Sequence, residues 1–207
     1  MIRQTRPAEF ESFGDRMSGI RDSRIGTWAR QFFREAPAVS AKRNLTRTFL
    51  QSVVFWGVLL WVVPVALGKF ERGLGSEPFS YPTQAWTPWL LFAAAGSLGI
   101  WSAISMAILG EGTPLPVEAP RRLVVGGPYR FVRNPMAVAG LTQGASVGLF
   151  LGSYMTLVYV IAGGLLWNYA VRPIEEADLE DRFGEDFVRY RREVRCWIPK
   201  VTPYASD

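Results

Sequence analysis

The chain is predicted to be all-α, a polytopic membrane protein with about four transmembrane helices plus amphipathic cytoplasmic helices, and three observations carry that expectation. Of its 207 residues 49% are hydrophobic, gathered into blocks with the charge held to the segments between them, whereas soluble domains intersperse the two kinds. Four apolar runs, residues 49–68, 88–109, 135–151 and 154–171, approach the roughly 20 residues that a helix needs to cross a bilayer. Lys and Arg number ten in residues 1–48, two in 69–87, four in 111–133 and seven in 172–207. Positive segments stay on the cytoplasmic side, so both termini and the 111–133 loop are expected inside and the 69–87 loop outside.

Residues 1–48 form a basic, cytoplasmic or interfacial segment. The charged leader is too long for a secretory signal peptide, so the first span is expected to be retained. Within it, TWARQFFREA (Thr27 to Ala36) places Trp28, Phe32 and Phe33 on one face and suits an interfacial helix, with a partner-binding arm as the other reading. Residues 49–207 form the membrane domain. Its external loop, KFERGLGSEPFSYPTQAW, is rich in Gly, Pro and aromatics, as suits a turn at headgroup level. The last two runs are short and separated by only Gly152 and Ser153, which predicts a tight hairpin whose tip barely clears the far side. Gly140, Gly144, Gly148 and Gly152 recur every four residues and make a strip for close helix packing; shaping a cavity is the second reading. After Arg172-Pro173, the spacing of Leu179, Phe183, Phe187, Tyr190 and Val194 predicts an amphipathic cytoplasmic helix. Gly184 interrupts it, and Trp197-Ile198-Pro199 should fold back against the membrane face.

Composition also excludes chemistry. One cysteine, Cys196, forbids an intramolecular disulfide, and the absence of histidine removes the usual zinc and haem ligand sets; no metal site is expected. The net charge of +5 is spread along membrane borders without a nucleic-acid motif, so anionic headgroups rather than nucleic acid account for it. No Gly-rich nucleotide loop and no Ser/His or Cys/His pair is present.

Two clusters remain. In GGPYRFVRNPM (126–136), Asn134-Pro135 reads as a helix start, with Asn as N-cap and Pro at the first helical position. The N–H groups of such a terminus can hold a carboxylate or phosphate, and Arg130 and Arg133 would strengthen the site, although the arginines alone read as headgroup contacts. The second cluster is Arg172 with Glu175 and Glu176, where Pro173 marks a break or kink. Arg172 and Glu176 are four apart and can pair on a continuous helix; two acids favoured by a helix dipole are the plainer reading. Arginines, helix N-termini and carboxylates on one membrane face suit a zwitterionic or cationic ligand.

RRLVVGGPYRFVRNPM (Arg121 to Met136), followed some forty residues on by RPIEEADLEDRFGEDFVRYRREVRCWIP, resembles the isoprenylcysteine carboxyl methyltransferase family and its phospholipid methyltransferase relatives. The matching positions are Leu123-Val124, Gly127-Pro128-Tyr129, Arg133-Asn134-Pro135, Glu175-Glu176-Ala177-Asp178-Leu179, Phe183-Gly184, Tyr190 and Pro199, over about the last hundred residues. The resemblance implies an integral membrane methyltransferase using S-adenosylmethionine. Arg121, Arg122, Leu123, Val124, Tyr129, Asn134, Pro135, Met136, Ala137 and Glu176 would hold the cofactor, Arg172 would bind the acceptor, and Arg172 and Glu176 would serve catalysis. Where this chain has Arg121, Asn134 and Ala137 the family often has His, His and Tyr; Asn134 can still cap the helix, while Ala137 removes an aromatic wall. The acceptor would be lipid-like or a small hydrophobic molecule in contact with membrane lipids. An NADPH-dependent reductase of sterol-reductase type and a non-catalytic lipid- or partner-binding membrane protein are the alternatives.

Overall fold

The computed structural model describes residues 34–35, 46, 50, 53–110 and 118–205. The architecture is helical. Helix α1 (Val53–Gly73) and α2 (Thr87–Leu109) are long and apolar enough to cross a membrane, as is the continuous helix Tyr154–Glu193; α3 (Pro135–Leu151) is apolar but shorter, with 17 residues. The last helix is divided here into α4 (Tyr154–Leu166), a π-helical segment Trp167–Val171, and α5 (Arg172–Glu193). The expected third span and the end of the second coincide with α3 and α2. Of the expected interfacial helix Thr27–Ala36, only Arg34 and Glu35 lie within the described residues, and they pair in parallel with Glu118 and Ala119 instead of continuing a helix.

Two expectations are corrected and a third is made specific. First, α1 does not stop near Gly68 but runs on through Lys69–Arg72, assigned above to the loop. The reason is Glu71, which is buried and reaches the start of α4. It accepts hydrogen bonds from the Ser153 hydroxyl and from the N–H groups of Tyr154 (3.1 Å) and Met155 (3.4 Å). Ser153 Oγ itself accepts from the Thr156 N–H at 3.1 Å. Two helices thus share one cap, satisfying N–H groups that would otherwise lack partners in the membrane. The outer loop covers the same end: the Phe79 N–H donates to the Gly152 carbonyl (3.0 Å) and Gln84 Nε2 to that of Leu149 (3.0 Å).

Second, Pro173 breaks nothing. The helix passes through it, and the widened π turn Trp167–Val171 ends two residues before the proline. Pro64 follows the π turn Val58–Val62 of α1 at the same spacing. Proline removes an N–H and crowds the carbonyl four residues back; a local change of hydrogen-bond register is a recognised way to absorb this.

Third, the interruption expected at Gly184 is a full reversal of α5. Gly184 adopts φ 53°, ψ −130°, and Arg191 Nη1 reaches Glu180 Oε2 at 2.9 Å, eleven residues away. On a straight helix that separation is about 16 Å, so the chain turns back at Gly184. Phe187, Tyr190, Val194 and Tyr204 then form a buried cluster, with Leu179, Phe183, Leu123 and Val125 packed on it. Residues 194–205 return as an extended strap along the 130–134 loop: the N–H groups of Arg133, Lys200 and Tyr204 donate to the carbonyls of Arg195 (2.9 Å), Phe131 (2.8 Å) and Arg130 (2.9 Å). Trp197 folds back as expected, donating to Asn168 Oδ1 at 2.8 Å and meeting Trp167 edge-on.

The glycine strip of α3 serves packing, though against several partners. A Cβ at Gly140 would lie 2.4 Å from the Trp56 ring, at Gly144 2.8 Å from Val160, and at Gly148 2.7 Å from Leu157. Gly140 and Gly144 also line the cavity described next.

Candidate functional site

At one end of the bundle α1, α3, α4 and α5 enclose a cavity of about 420 Å³. Its floor is the turn Gly127–Arg130 and the start of α3. Asn134 caps α3 as expected, its Oδ1 accepting from the Ala137 N–H at 3.1 Å. Pro135 has no N–H, and that of Val138 goes to the Asn134 carbonyl. Among the described residues, the N–H of Met136 is therefore the one donor at this terminus left for a ligand.

The polar end is built around Arg133. Its Nη2 pairs with Glu176 Oε1 at 2.9 Å, both side chains being almost wholly buried, and its Nη1 donates to the Arg191 carbonyl at 3.0 Å. Its Nε is buried without a partner. Glu176 thus pairs with Arg133 and not with Arg172, a correction to the spacing argument. Arg172 lies near Cys196, whose thiol its charge lowers against burial, and its Nε too is buried and unpartnered.

Of the residues nominated above, Leu123, Val124, Tyr129, Asn134, Met136 and Ala137 line the cavity. Arg121, Arg122, Pro135, Arg172 and Glu176 are not on its wall. Arg121 and Arg122 donate their backbone N–H groups to the Gly110 carbonyl (2.7 and 3.3 Å), Pro135 is buried at the helix start, and Glu176 stands behind Arg133. The wall includes residues that were not assigned to the site above: Glu175 and Asp178 at the polar end, and Trp56, Tyr159, Gly163 and Trp167 along the apolar one. Glu175 was visible as half of a Glu-Glu pair. Nothing in the sequence singled out Trp56 or Tyr159, since they are a hundred residues apart and ordinary in apolar helices.

The charged sequence from Arg172 onward cannot sit in hydrocarbon, so Glu175 lies beyond the apolar part of its helix. Its carboxyl has no hydrogen-bond or ion-pair partner among the described residues. Burial, with the neighbouring charges of Glu176 and Asp178, pushes it up to about 8. Asp178 is also raised by burial, against the pull of Arg182, which holds it at 3.3 Å. Burial and the charge of Glu175 raise the Tyr129 phenol, which therefore stays protonated. The Tyr190 hydroxyl fixes the turn by donating to the Tyr129 carbonyl at 2.7 Å. Burial raises the Cys196 thiol, making it an unreactive packing group.

Such a site can hold a molecule with both a cation and an anion: carboxylates for the one, the Arg133 Nε and a helix N-terminus for the other. Residues 83–186, about half of the chain, match the family model described as phospholipid methyltransferase. No curated protein matches the chain at a significant level.

Proposed function

Because the chain belongs to the phospholipid methyltransferase family, we propose that it transfers a methyl group from S-adenosylmethionine to a lipid-like or small hydrophobic acceptor at the cytoplasmic face of the membrane. The observation that carries this reading is the cavity itself. It runs from unpartnered ionic groups, Glu175 and the Nε of Arg133, to an apolar wall between membrane helices. Its volume of about 420 Å³ falls within the range of small-molecule sites, roughly 300–1,000 Å³.

When bound, the cofactor would supply an electrophilic methyl group on a sulfonium sulfur. The residues of this chain bind and align. Glu175 and Asp178 complement positive charge; the Nε of Arg133 and the N–H of Met136 receive a carboxylate; Tyr129 donates from a hydroxyl that burial keeps protonated. Leu123, Val124 and Ala137 exclude water, so that proximity and electrostatics do most of the work. Glu176 acts through Arg133 as a positioning residue, and Arg172 through the strap at Cys196. If the acceptor must lose a proton, Glu175 is the wall carboxylate with a proton affinity near neutrality. The distribution of Lys and Arg supports a cytoplasmic position for this end and for both termini.

Thermal unfolding of the purified protein in detergent tests the reading. S-adenosylmethionine and S-adenosylhomocysteine should stabilise it, by about 2.7 kcal/mol at a hundredfold excess over Kd, and NADPH should not. The absence of any shift with both sulfur compounds refutes methyl transfer; a shift with NADPH alone supports the reductase alternative.

A further inference from the structure

The strap of residues 194–205 carries two apolar side chains that the protein leaves uncovered. Ile198 is 60% exposed and Val201 95%, although Val194, Cys196 and Tyr204 of the same strap are buried. The level of the strap relative to the bilayer is fixed by Trp197, whose Nε1 donates to Asn168 Oδ1 at 2.8 Å and whose ring meets that of Trp167. Both partners sit in the π turn where the apolar part of the last helix ends, beside Leu165, Leu166 and Tyr169, which are exposed as a lipid-facing surface is. An indole at the end of a span marks the headgroup level. Ile198 follows it directly, so the uncovered apolar pair begins at the membrane border.

Charge adds an independent constraint. From Arg189 to Ala205 the bases are Arg189, Arg191, Arg192, Arg195 and Lys200, against Glu193 alone among the acids. Arg191 is taken by Glu180 at 2.9 Å, whereas Lys200 meets Glu193 only at 3.9 Å. Arg195 is exposed, as is Arg130 on the loop that the strap crosses. Basic side chains flanking an apolar pair at this level complement anionic phospholipid, whose surface draws each Lys or Arg about fivefold. The strap also holds the floor of the cavity. The Arg195 carbonyl accepts from the Arg133 N–H at 2.9 Å, and the Cys196 carbonyl from the Asn134 N–H at 3.4 Å. The backbone that displays Arg195 outward therefore fixes, inward, the residue at the polar end of the cavity and the cap of α3.

We propose that the strap is a docking surface for anionic phospholipid headgroups of the surrounding bilayer, and that docking orders the Arg133–Asn134 floor on which the cofactor's carboxylate rests. Ile198 and Val201 enter the interface, and Arg195 and Lys200 meet phosphate. The second half rests on the methyl-transfer reading; the first does not. Binding at the two places is coupled, and the coupling is reciprocal: anionic lipid tightens the cofactor, and the cofactor holds the strap on the membrane.

The test uses the full chain with Val201→Cys carrying a nitroxide, in vesicles of phosphatidylcholine alone or of phosphatidylcholine with phosphatidylglycerol. The one native thiol, Cys196, is buried, and the wild type treated in the same way gives the background. Relaxation by oxygen against a water-soluble nickel chelate should place the nitroxide at headgroup level in the anionic vesicles and nearer to water in pure phosphatidylcholine. Calorimetry should show S-adenosylhomocysteine bound about fivefold more tightly with phosphatidylglycerol, the low end of coupling between two sites. Arg195→Gln combined with Lys200→Gln should remove both differences. High salt on the unsubstituted strap should shrink them too, which gives a second measurement if the double variant does not fold. A nitroxide that stays in water in both vesicles overturns the docking surface and leaves the patch to a soluble acidic partner. An affinity that ignores phosphatidylglycerol, or a lipid dependence that survives the double variant, overturns the coupling through the strap. Failure of the methyltransferase reading is seen separately, as no binding of S-adenosylhomocysteine in either vesicle, and the depth of the nitroxide still decides the docking surface.

Discussion

Glu176→Gln should destabilise the protein by about 3 kcal/mol, the lower end of the 3–5 kcal/mol seen when one partner of a buried ion pair is removed. The side chains of Arg133 and Glu176 retain 12% and 6% of their exposure at an N–O distance of 2.9 Å, so solvent screens the pair little. The lower end applies because Arg133 keeps its hydrogen bond to the Arg191 carbonyl. For a chain of this length about 2–4 °C is lost per kcal/mol, which predicts a Tm lower by about 6–12 °C in detergent micelles. Arg133→Met should cost a similar amount. The double variant should fall short of the sum by about 2–3 kcal/mol, the coupling expected of groups in direct contact. A second cycle with Arg172→Met should show coupling to Glu176 under about 1 kcal/mol. A larger coupling to Arg172 than to Arg133 would refute the pairing and the placement of Glu176 behind the cavity wall.

Glu71→Ala should cost about 1–2 kcal/mol, as loss of a helix cap does, and Ser153→Ala should add little to it; additive losses in thermal unfolding would argue against a shared cap. Gly184→Ala should cost about 1–3 kcal/mol, because φ 53°, ψ −130° is strained for any residue with a Cβ; an unchanged Tm would mean that the reversal tolerates side chains. Glu175 predicts a pH dependence. A carboxyl raised to about 8 contributes stability that is full below the ordinary carboxylate range and lost as pH rises through 8, so the ligand-free protein should weaken over that window. Affinity for S-adenosylmethionine should rise over the same window, since the ionised form complements a cation. Calorimetric titration from pH 6 to 9 on wild type and Glu175→Gln checks this, and an equal slope in both would reject the role given to Glu175.

Features carried by a few neighbouring residues were legible without the fold. Asn134-Pro135 specifies a capped helix start whatever surrounds it, because cap and proline act on N–H groups one to three residues away. The extent of α3 and the end of α2 follow equally from apolar run length. The lining role of Leu123, Val124 and Tyr129 was reached through motif resemblance. Misreadings arose where a distant segment decided a local question. Lys69–Arg72 read as loop because they are polar, but Glu71 is held in the helix by N–H groups of α4. Gly184 was legible as an interruption of the helical period of Leu179 to Val194, but the extent of the turn there was not.

By itself, then, the sequence determined that this is a helical membrane protein, where most of its spans lie, and which border gathers the charged and turn-forming residues, since hydropathy, caps and charge bias act along the chain. Only the tertiary structure decided that Arg133 rather than Arg172 takes Glu176, that Glu175 is left unpaired in a cavity, and that Trp56 and Tyr159 join its wall. Partner choice among buried charges depends on which groups the packed helices bring within about 3 Å of each other, and spacing along one helix ranks only the partners on that helix.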